Sequence, residues 1–480
     1  MADDNSFDLV VIGAGTGGYS TALRGAGLGL RVAIVERAEM GGTCLNRGCI
    51  PTKALLHAAD LVEGTREGAE RWGIRATVDG IDYPTLAAAR DDVVAKNVNG
   101  LGAHLRGDNV TVVSGEGHLA SPREVVVGDT RLTANKAVVI ATGSAPAPFP
   151  GLNVDGRRIL TSDEALKLDH VPASAVVVGA GSVGVEFASL WNAFGAKVTL
   201  VEALPTLLPL EDADLGRELA RSLKRKGIDV HTGAKVSDVS IRDDGVEVTI
   251  DAGKEPVRIT AELLLSAIGR KPVTSGFGFE DVGIALERGF VTPSNWDTLE
   301  TSVGGVYAVG DILPAPSLGL AHASFAEGMR VAERIAGART YPFDYSWVPR
   351  ITYSSPEVAG VGLTEAQAKE RGDDIVVNRM PFNGVARGLM LGQGGFAKVV
   401  AEKGGEVLGV HLIGAHVSEL AAEAMLIRGW GAWPDDVAYL IHPHPTLSEA
   451  IGEAHLTLAN RRLHQVVMKQ AAAPQPAGVS

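Results

Sequence analysis

Apolar residues recur along this chain in short runs of strand length that end at glycine or at an acidic residue. The run at 7–12 leads into a glycine cluster and a helical stretch, and the run at 31–35 ends at Glu36. The runs at 175–178 and 197–201 repeat this order, the second of them ending at Glu202. Continuous apolar runs of this kind are typical of parallel strands that are buried on both faces. The pattern therefore predicts two βαβ units in one chain.

The glycines between these runs follow the pattern G-x-G-x-x-G. The pattern occurs at two places: Gly13, Gly15 and Gly18, then Gly179, Gly181 and Gly184. The first glycine suits a tight turn, the second lets the backbone approach a pyrophosphate, and the third lets the helix pack closely on the strand. Glu36 and Glu202 each follow the last glycine by 18 residues and would accept a hydrogen bond from a ribose hydroxyl. One copy is a weak signal in a glycine-rich chain, but two copies with the same strand, helix and acid predict two dinucleotide cofactors.

Other apolar runs end in short turns where ligands of a doubly wound sheet bind. The runs at 136–140, 263–268 and 305–309 belong to this class, and Asp311 follows the last of them. Asp311 would suit a ribose or ribityl hydroxyl, or it caps the next turn. From about Trp347 the pattern changes to short β-rich runs at 348–361 and 396–411, with helices at 418–428 and from 447 onward. We predict an α/β fold with two Rossmann-like dinucleotide-binding domains plus a C-terminal α+β dimerisation domain.

Length, charge and cysteine content narrow the class of protein. The 480 residues correspond to roughly three domains. A net charge of −13, with no basic block, argues against nucleic acid or an anionic membrane as the main partner. The sequence has neither an apolar stretch of spanning length nor a secretory signal, so we expect a cytoplasmic protein. Two cysteines exclude a disulfide scaffold and a cysteine-rich zinc module, and we expect no metal site.

The two cysteines, Cys44 and Cys49, are five positions apart. In a regular helix this spacing separates them by about 7.5 Å along the axis, whereas a disulfide needs Cα atoms within about 7 Å. A bridge therefore requires an irregular turn, which Asn46, Gly48 and Pro51 could supply. Beside a dinucleotide site in a reducing compartment, such a pair favours a catalytic over a structural disulfide. Two buried, inert thiols are the alternative.

A third candidate group lies at 442–449, His-Pro-His-Pro-Thr-Leu-Ser-Glu. Thiol–disulfide exchange needs a base, and a histidine oriented by a carboxylate is suitable, which makes His444 and Glu449 candidates. The same residues 446–449 also fit a helix capping box, which would give Glu449 a structural role instead.

Together, residues 42–53 (Gly-Thr-Cys-Leu-Asn-Arg-Gly-Cys-Ile-Pro-Thr-Lys) and 444–449 resemble the dihydrolipoamide dehydrogenases, a class of pyridine nucleotide–disulfide oxidoreductase. The motifs occur in the same order over nearly the whole chain. The resemblance implies an NAD-dependent flavoprotein that works as a homodimer with one tightly bound FAD per subunit. It also implies, as partner, a lipoyl-bearing protein or the acyltransferase core of a 2-oxoacid dehydrogenase complex or the glycine cleavage system.

The resemblance further implies a division of the chain and a set of cofactor contacts. Residues 1–150 would bind FAD and carry the redox disulfide, 151–272 would bind NAD, 273–346 would return to the FAD or central domain, 347–470 would form the dimer interface, and 471–480 would be a disordered tail. The implied FAD contacts are Gly13, Gly15, Gly18, Glu36, Gly42, Thr43, Lys53, Gly117, Thr142, Gly143, Ser144, Asp311, Leu320, Ala321 and His322. The implied NAD contacts are Gly179, Gly181, Gly184, Glu202, Val236 and Gly269.

The implied reaction oxidises dihydrolipoamide to lipoamide and reduces NAD⁺. His444, oriented by Glu449, would act across the dimer interface as the base, and Cys44 would be the thiol that meets the substrate. Cys49 would face the flavin as a thiolate. Lys53 would lie beside flavin N5 and pair with Glu186, completing the implied catalytic set. Electrons would pass from Cys49 through FAD, and a hydride would reach NAD⁺.

One residue departs from the family pattern, and several related activities compete. Arg47 stands where many members carry an apolar residue; it either points to solvent or stabilises a thiolate. Mercuric reductase and high-molecular-weight thioredoxin reductase need a further C-terminal redox group, which two cysteines cannot provide. Glutathione reductase uses NADP, whose 2′-phosphate Glu202 would repel. Another NAD(P)H-dependent flavin disulfide reductase, or a mainly docking subunit of a multienzyme complex, remains as the alternative.

Overall fold

A computed structural model describes residues 5–253 and 255–465 of the chain. These residues form two compact units that divide between Ser355 and Pro356. None of the helices within the described ranges is both long and apolar enough to cross a membrane. The predicted tail at 471–480 lies outside the described residues, and the finer domain boundaries remain predictions.

The first unit contains most of the secondary structure. Its strands are β1 (Ser6–Ile12), β2 (Val32–Glu36), β3 (Thr111–Ser114), β4 (Gly117–Ser121), β5 (Glu124–Val127), β6 (Thr130–Ile140), β7 (Ser144–Pro146), β8 (Ile159–Leu160), β9 (Ser174–Val178), β10 (Lys197–Glu202), β11 (Asp229–Thr232), β12 (Lys235–Ile241), β13 (Val246–Asp251), β14 (Val257–Ala261), β15 (Leu263–Ser266), β16 (Arg270–Pro272), β17 (Leu286–Glu287), β18 (Phe290–Val291), β19 (Val306–Ala308) and β20 (Arg350–Thr352). Its helices are α1 (Thr16–Gly27), α2 (Gly42–Arg47), α3 (Cys49–Glu63), α4 (Ala69–Arg71), α5 (Tyr83–Gly107), α6 (Ser162–Ala165), α7 (Ser182–Ala193), α8 (Ala213–Arg225) and α9 (Ala321–Ile335), with a π-helical turn (Gly64–Gly68) and a 3₁₀ turn (Tyr345–Trp347).

The first sheet has the strand order β3-β2-β1-β6-β5-β4, and β19 also pairs with β6. The strands β3, β2, β1, β6 and β19 are parallel to one another, and Val10 on β1 lies opposite Ala33 on β2 and Val138 on β6. All three side chains are fully buried, as the continuous apolar runs predict. Because parallel strands end at one edge, the turns after β1, β6 and β19 meet there.

The second sheet repeats this arrangement with the order β11-β10-β9-β15-β8, all strands parallel. Val176 on the central strand β9 is fully buried between Thr199 and Leu264. The antiparallel strands β12, β13 and β14 contribute Val248 and Ile250 to the core beneath this sheet. The two predicted βαβ units are therefore present and share one topology.

Strand β6 differs from its prediction. The apolar run at 136–140 predicts a short strand, whereas β6 begins at Thr130. Residues 130–133 pair antiparallel with β5, so their side chains alternate between exposed and buried positions. An analysis based on apolar runs misses such a stretch because only every second residue faces the core.

The second unit is an antiparallel sheet with helices. Its strands are β21 (Glu357–Gly362), β22 (Ile375–Pro381), β23 (Phe396–Glu402) and β24 (Val407–Gly414), and its helices are α10 (Glu365–Arg371), α11 (Ala386–Leu391), α12 (Val417–Gly429), α13 (Pro434–Ala438) and α14 (Glu449–Leu458), with a 3₁₀ turn (Phe382–Gly384). The strands β21, β24, β23 and β22 are neighbours in that order. Helix α12 packs on β21 and β24, and α14 packs on β22 and β23. The predicted antiparallel α+β character is confirmed.

Candidate redox and dinucleotide site

A cleft of about 410 Å³ opens at the carboxyl edge of the first sheet. It brings together most of the residues implied to bind FAD, along with the predicted redox residues. Those that line it are Gly13, Gly15, Glu36, Gly42, Thr43, Cys44, Cys49, Lys53, Gly117, Thr142, Gly143, Ser144, Glu186, Asp311, Leu320 and Ala321. Residues distant in sequence thus meet at one site.

The turn between β1 and α1 has the backbone that its glycines predict. Gly13 has φ +100°, and a Cβ on Gly18 would lie 1.9 Å from the carbonyl oxygen of Gly13. A Cβ on Gly15 would meet no atom within 4 Å, so the backbone there is open to a ligand. The N-terminus of the 12-residue helix α1 borders the cleft through Thr16 and Gly17. Open backbone at a helix N-terminus fits a pyrophosphate.

The turn between β9 and α7 has the same geometry. Gly179 has φ +99°, and a Cβ on Gly184 would lie 1.9 Å from the carbonyl oxygen of Gly179. Gly181 again has no atom within 4 Å of a Cβ position. The turn is therefore suited to a second dinucleotide. Of the other implied NAD contacts, Gly269 follows β15 with φ +134°, and Val236 lies on β12 opposite Ile250.

The acid at the end of each second strand holds the glycine turn of its own βαβ unit. Glu36 accepts hydrogen bonds from the N–H groups of Ala14 and Ala38, both at 2.8 Å. Glu202 accepts the N–H groups of Ala180 at 2.7 Å and Leu204 at 2.8 Å. A carboxylate has about four acceptor positions, so each acid retains capacity for a ribose hydroxyl.

Asp311 lies in a chain of polar contacts at the cleft. Ser144 donates a hydrogen bond to its carboxylate at 2.6 Å, and Arg270 donates to Ser144 at 2.7 Å. Thr142 bonds instead to the carbonyl oxygen of Val273, at 2.6 Å. His322 does not line the cleft, because its Nε2 lies 2.7 Å from the carbonyl oxygen of Pro349. The sequence reasoning missed Arg270, although its place directly after Gly269 at a strand end was a usable signal.

Glu327 is a second residue that the sequence reasoning missed. It is fully buried and accepts hydrogen bonds from the N–H of Gly310 at 2.6 Å and the hydroxyls of Tyr345 at 2.7 Å and Ser317 at 2.9 Å. Burial raises its pKa, and the three donors oppose that rise. Because Gly310 precedes Asp311, Glu327 fixes the strand end that bears a predicted cofactor contact. The sequence did contain a signal for Glu327, because an acidic residue on the apolar face of a helix such as α9 indicates a buried carboxylate with partners.

The predicted irregular turn between the cysteines is present. Helix α2 ends at Arg47, Gly48 has φ −146° and ψ −107°, and Cys49 begins α3. Asn46 stabilises the segment by donating to the carbonyl oxygens of Met40 at 2.9 Å and Gly42 at 3.0 Å. Both cysteines are free thiols, and their side chains are hydrogen-bonded to each other. The structure thus brings the two cysteine side chains of the predicted redox pair together.

The two thiols have opposite acidities. The hydrogen bond from Cys44, with the nearby charge of Lys53, lowers the pKa of Cys49 to about 7 although burial opposes this. The same hydrogen bond and burial raise the pKa of Cys44. The first proton to leave the pair therefore comes from Cys49, so the thiolate is placed on the residue that the resemblance assigns to the flavin side.

Lys53 and Glu186 form the predicted ion pair, with Nζ and Oε2 2.6 Å apart. The other carboxylate oxygen of Glu186 accepts the N–H of Tyr353 at 3.0 Å, and the ring of Tyr353 lies 5.0 Å from the Lys53 ammonium. Burial alone would lower the pKa of Lys53, but Glu186 and Cys49 outweigh burial and raise that pKa. Lys53 is therefore a permanent cation beside the Cys49 sulfur.

Arg47 neither points freely to solvent nor acts as the main partner of the thiols. Its Nη2 lies 3.6 Å from a carboxylate oxygen of Glu39, and its side chain lines the cleft. Its charge also acts on Asp163, whose pKa is raised by burial and is partly lowered by Arg47 and Arg270. Lys53 is the cation that acts on Cys49.

The predicted histidine–carboxylate pair is present in the second unit. His444 Nδ1 lies 2.7 Å from Glu449 Oε1, and Glu449 Oε2 accepts the N–H of Thr446 at 2.8 Å. The Thr446 hydroxyl donates to the carbonyl oxygen of Pro443 at 2.7 Å rather than capping the helix. Glu449 thus orients the imidazole and supports the turn at once, so the two interpretations of this residue are compatible. Burial of Glu449 raises its pKa, but the hydrogen bonds outweigh burial and lower that pKa.

This fold and site define a class of protein, and comparison with known families gives the same class. The family model for pyridine nucleotide-disulphide oxidoreductases matches residues 7–328, and the model for the dimerisation domain of these enzymes matches residues 348–455. The chain belongs to the pyridine nucleotide-disulphide oxidoreductase family. FAD and NAD(H) are the cofactors of this family, and the two glycine turns with their acids fit them.

Within the family, the chain is similar to proteins named dihydrolipoyl dehydrogenase. It is 41% identical to that of Thermus scotoductus, covering 96% of this chain and 99% of the relative. It is 39% identical to that of Bacillus subtilis, covering 95% of this chain and 99% of the relative. Among solved structures, LpdA from Mycobacterium tuberculosis has a TM-score of 0.85 at 28% identity, covering 94% of this chain and 99% of that one.

Proposed function

We propose that the protein is a dihydrolipoyl dehydrogenase that oxidises dihydrolipoamide to lipoamide and reduces NAD⁺. The meeting of Cys44 and Cys49 with the Lys53–Glu186 ion pair in one cleft, in a chain similar over nearly its whole length to dihydrolipoyl dehydrogenases, carries this proposal. The acidities of the two thiols assign their roles. A disulfide that exchanges with a substrate thiol reacts faster when the sulfur that leaves is the more acidic one. Cys49, with its pKa of about 7 beside Lys53, is that sulfur, and Cys44 is the sulfur to be attacked.

The proton and sulfur chemistry follows from these positions. His444 Nε2 takes a proton from a dihydrolipoamide thiol, because its Nδ1 is held by Glu449. The substrate thiolate attacks Cys44 in the oxidised pair, an S–S bond to substrate forms, and Cys49 leaves as a thiolate. The second substrate sulfur then attacks the substrate sulfur of this mixed disulfide and releases Cys44. Dihydrolipoamide has lost two electrons and two protons in becoming lipoamide. The cysteine pair has gained the electrons, and the protons pass to His444 and to the released Cys44. FAD, held by the turn at 13–18, Glu36 and Asp311, would supply the two-electron chemistry that links the cysteine pair to NAD⁺.

The remaining residues would hold the two cofactors. The turn at 13–18 with Glu36 would bind the FAD pyrophosphate and adenosine ribose. Gly117 would contact adenine, and the chain Arg270–Ser144–Asp311 would hold the ribityl end. The turn at 179–184 would bind NAD, and Glu202 would disfavour NADP because its carboxylate repels a 2′-phosphate.

We also propose that the protein acts as a homodimer in which His444 serves Cys44 of the partner subunit. The dimerisation-domain match and a run of exposed apolar residues before the dyad support this. Tyr439, Leu440 and Ile441 are 71%, 65% and 97% exposed, and apolar residues exposed together favour a covering partner. A lipoyl-bearing protein or the acyltransferase core of a multienzyme complex would supply the substrate, and we place the protein in the cytoplasm.

The test is an NAD⁺-dependent dihydrolipoamide oxidation assay of purified, flavin-loaded protein. We expect turnover by the unaltered chain and a loss of roughly a hundredfold in His444→Gln, because a general base contributes about that much. His170→Gln is the matched control, since His170 also bonds to carboxylates but lies in the first unit. Reduction of an artificial dye by NADH needs no thiol base and should survive in both variants. Dye reduction without dihydrolipoamide oxidation by the unaltered protein would refute the substrate assignment.

A further inference from the structure

Two buried polar atoms at the cleft of the first unit have no hydrogen-bond partner among the residues that the structure describes. They are Nε of Arg47 and Oδ1 of Asp163, and both side chains line the cleft. The first atom is a donor and the second is an acceptor. Because buried polar atoms in folded proteins are nearly always hydrogen-bonded, this pair indicates a ligand that supplies one acceptor and one donor.

The local fold does not use the carboxylate of Asp163. Asp163 lies in the first turn of α6, whose capping box is formed by Thr161 and Glu164. Glu164 accepts the N–H of Thr161 at 2.9 Å and its hydroxyl at 2.6 Å. Asp163 contributes its backbone N–H, which donates to the Thr161 hydroxyl at 3.3 Å. The neighbouring acid therefore has the structural role, and the side chain of Asp163 faces the cleft.

The local fold makes equally little use of Arg47. The segment at the end of α2 is held by Asn46, which donates to the carbonyl oxygens of Met40 and Gly42. Arg47 contacts Glu39 through Nη2, at 3.6 Å, and this contact leaves Nε to the cleft. Arg47 is thus placed at the cleft without being needed to build it.

The position of Arg47 suits the pyrophosphate of FAD. Helix α2 begins against the first glycine turn, since a Cβ on Gly42 would lie 2.7 Å from Cα of Gly15. Thr43 and Arg47 are four residues apart, so they share one face of α2, and both line the cleft. Arg47 therefore lies one helical turn from the residues implied to hold the pyrophosphate.

The position of Asp163 suits the ribityl chain instead. The charge of Arg270 acts on Asp163, so the two side chains are neighbours. Arg270 donates to Ser144, and Ser144 donates to Asp311, the residue proposed above to hold the ribityl end. Ribityl hydroxyls are donors, and Oδ1 of Asp163 is an acceptor without a donor.

The charge balance of the cleft also favours a phosphate contact for Arg47. Three other cations of the lining each have a carboxylate of the same lining nearby: Arg37 and Glu116 at 3.6 Å, Lys53 and Glu186 at 2.6 Å, and Arg270 and Asp311 at 3.8 Å. The acid beside Arg47, Glu39, lies outside the lining and is 52% exposed, so it is well solvated. A guanidinium is the side chain best suited to phosphate oxygens.

We propose that Arg47 and Asp163 are FAD-binding residues on opposite parts of the cofactor: Arg47 donates to a pyrophosphate oxygen, and Asp163 accepts a hydrogen bond from a ribityl hydroxyl. This inference rests on the proposed function, in which FAD occupies this cleft. It also assigns a role to the residue between the cysteines that departs from the family pattern. Arg47 acts on the cofactor, whereas Lys53 acts on the thiols.

The first test measures the dissociation constant of FAD by equilibrium dialysis of the full-length flavoprotein. A hydrogen bond to a charged group is worth about a factor of ten or more, so we expect about tenfold weaker FAD binding in Arg47→Met and in Asp163→Ala. The matched controls are Arg131→Met and Asp92→Ala, because both residues form exposed ion pairs of the first unit outside the cleft lining. Both controls should bind FAD like the unaltered protein.

Conservative variants separate a contact from a general loss of structure. Arg47→Lys keeps the charge without Nε, and Asp163→Asn keeps one neutral acceptor oxygen. We expect each to weaken FAD binding by about threefold, between the unaltered protein and the larger replacement. If Arg47→Met or Asp163→Ala does not fold, these two variants decide the question.

The second test uses ADP as a competitor of FAD, because ADP contains adenosine and pyrophosphate but no ribityl chain. Arg47→Met should raise the ADP concentration needed to displace FAD, relative to the FAD dissociation constant of the same variant, by about as much as it weakens FAD binding, roughly tenfold. Asp163→Ala should leave the affinity for ADP unchanged. An equal loss of ADP affinity in both variants would overturn the assignment of Asp163 to the ribityl chain.

The outcomes also separate this inference from the proposed function. FAD dissociation constants that do not change in any Arg47 or Asp163 variant, or that change equally in the controls, would overturn the inference even if dihydrolipoamide is oxidised normally. If the expected changes in FAD affinity are found but the unaltered protein does not oxidise dihydrolipoamide, the proposed function is refuted and the two cofactor contacts stand.

Discussion

The hydrogen bond between the cysteines can be tested by removing its donor. The pKa of Cys49 is lowered from 9.0 to about 7, which corresponds to about 3 kcal/mol in favour of the thiolate. The largest cause is the hydrogen bond from Cys44, and a bond to a charged group contributes about 1.5 kcal/mol. We therefore expect Cys44→Ala to raise the pKa of Cys49 to about 8. At pH 7 the thiolate fraction would fall from about one half to about one tenth.

The matched variant is Cys44→Ser, whose hydroxyl still donates to the sulfur and should leave the pKa of Cys49 near 7. The chain has two cysteines, so each variant contains a single thiol and its alkylation reports Cys49 alone. The assay is the rate of reaction with iodoacetamide as a function of pH, with flavin bound in both variants. Equal midpoints for the alanine and serine variants would show that Cys44 does not control the acidity of Cys49.

Three further outcomes follow from buried contacts. In Glu327→Gln, an amide N–H would face one of the three groups that donate hydrogen bonds to Glu327, so we expect FAD affinity to fall about tenfold. An unchanged dissociation constant for FAD would contradict the role of Glu327 in fixing the strand end before Asp311. Gly18→Ala should abolish FAD uptake because the added methyl group would overlap the Gly13 carbonyl. Gly184→Ala should retain flavin and lose NADH binding. Loss of both cofactors in both variants would refute the existence of two separate sites. The buried His455 has its pKa lowered to about 4, so its contribution to stability is complete above pH 6.5 and is lost as the pH falls toward 4. Between pH 8 and pH 5, the free energy of unfolding in urea should fall by about 2 kcal/mol more in the unaltered protein than in His455→Leu. Equal decreases in the two proteins would contradict the burial of a neutral His455.

Much of the dinucleotide site was predictable because its signals are local. A strand, three glycines and an acid lie within one βαβ unit, and each glycine is required by a contact within that unit, as Gly18 is by Gly13. The turn between the cysteines was predictable for the same reason, since Gly48 lies between them. Local spacing and backbone geometry suffice for such features.

The supporting residues were not predictable, because their roles depend on packing between distant segments. Glu327 meets Gly310 only once α9 has packed beside the end of β19, and Arg270 meets Ser144 through the ribbon of β7 and β16. Asp163 was overlooked because Arg47 and Arg270, whose charges act on it, come from two distant segments. In each case the sequence shows a polar residue without showing what it will face.

The hydrogen bonds of Glu202 have a consequence for protein engineering. Glu202 is 8% exposed, and its carboxylate already accepts the backbone N–H groups of Ala180, in the glycine turn, and of Leu204, just after β10. Replacing it to admit a phosphorylated coenzyme would leave those donors without an acceptor, at a cost of roughly 1–3 kcal/mol each. Redesign at this position must therefore supply a new acceptor together with the new cation. A single exchange to arginine would loosen the loop before it changed the coenzyme.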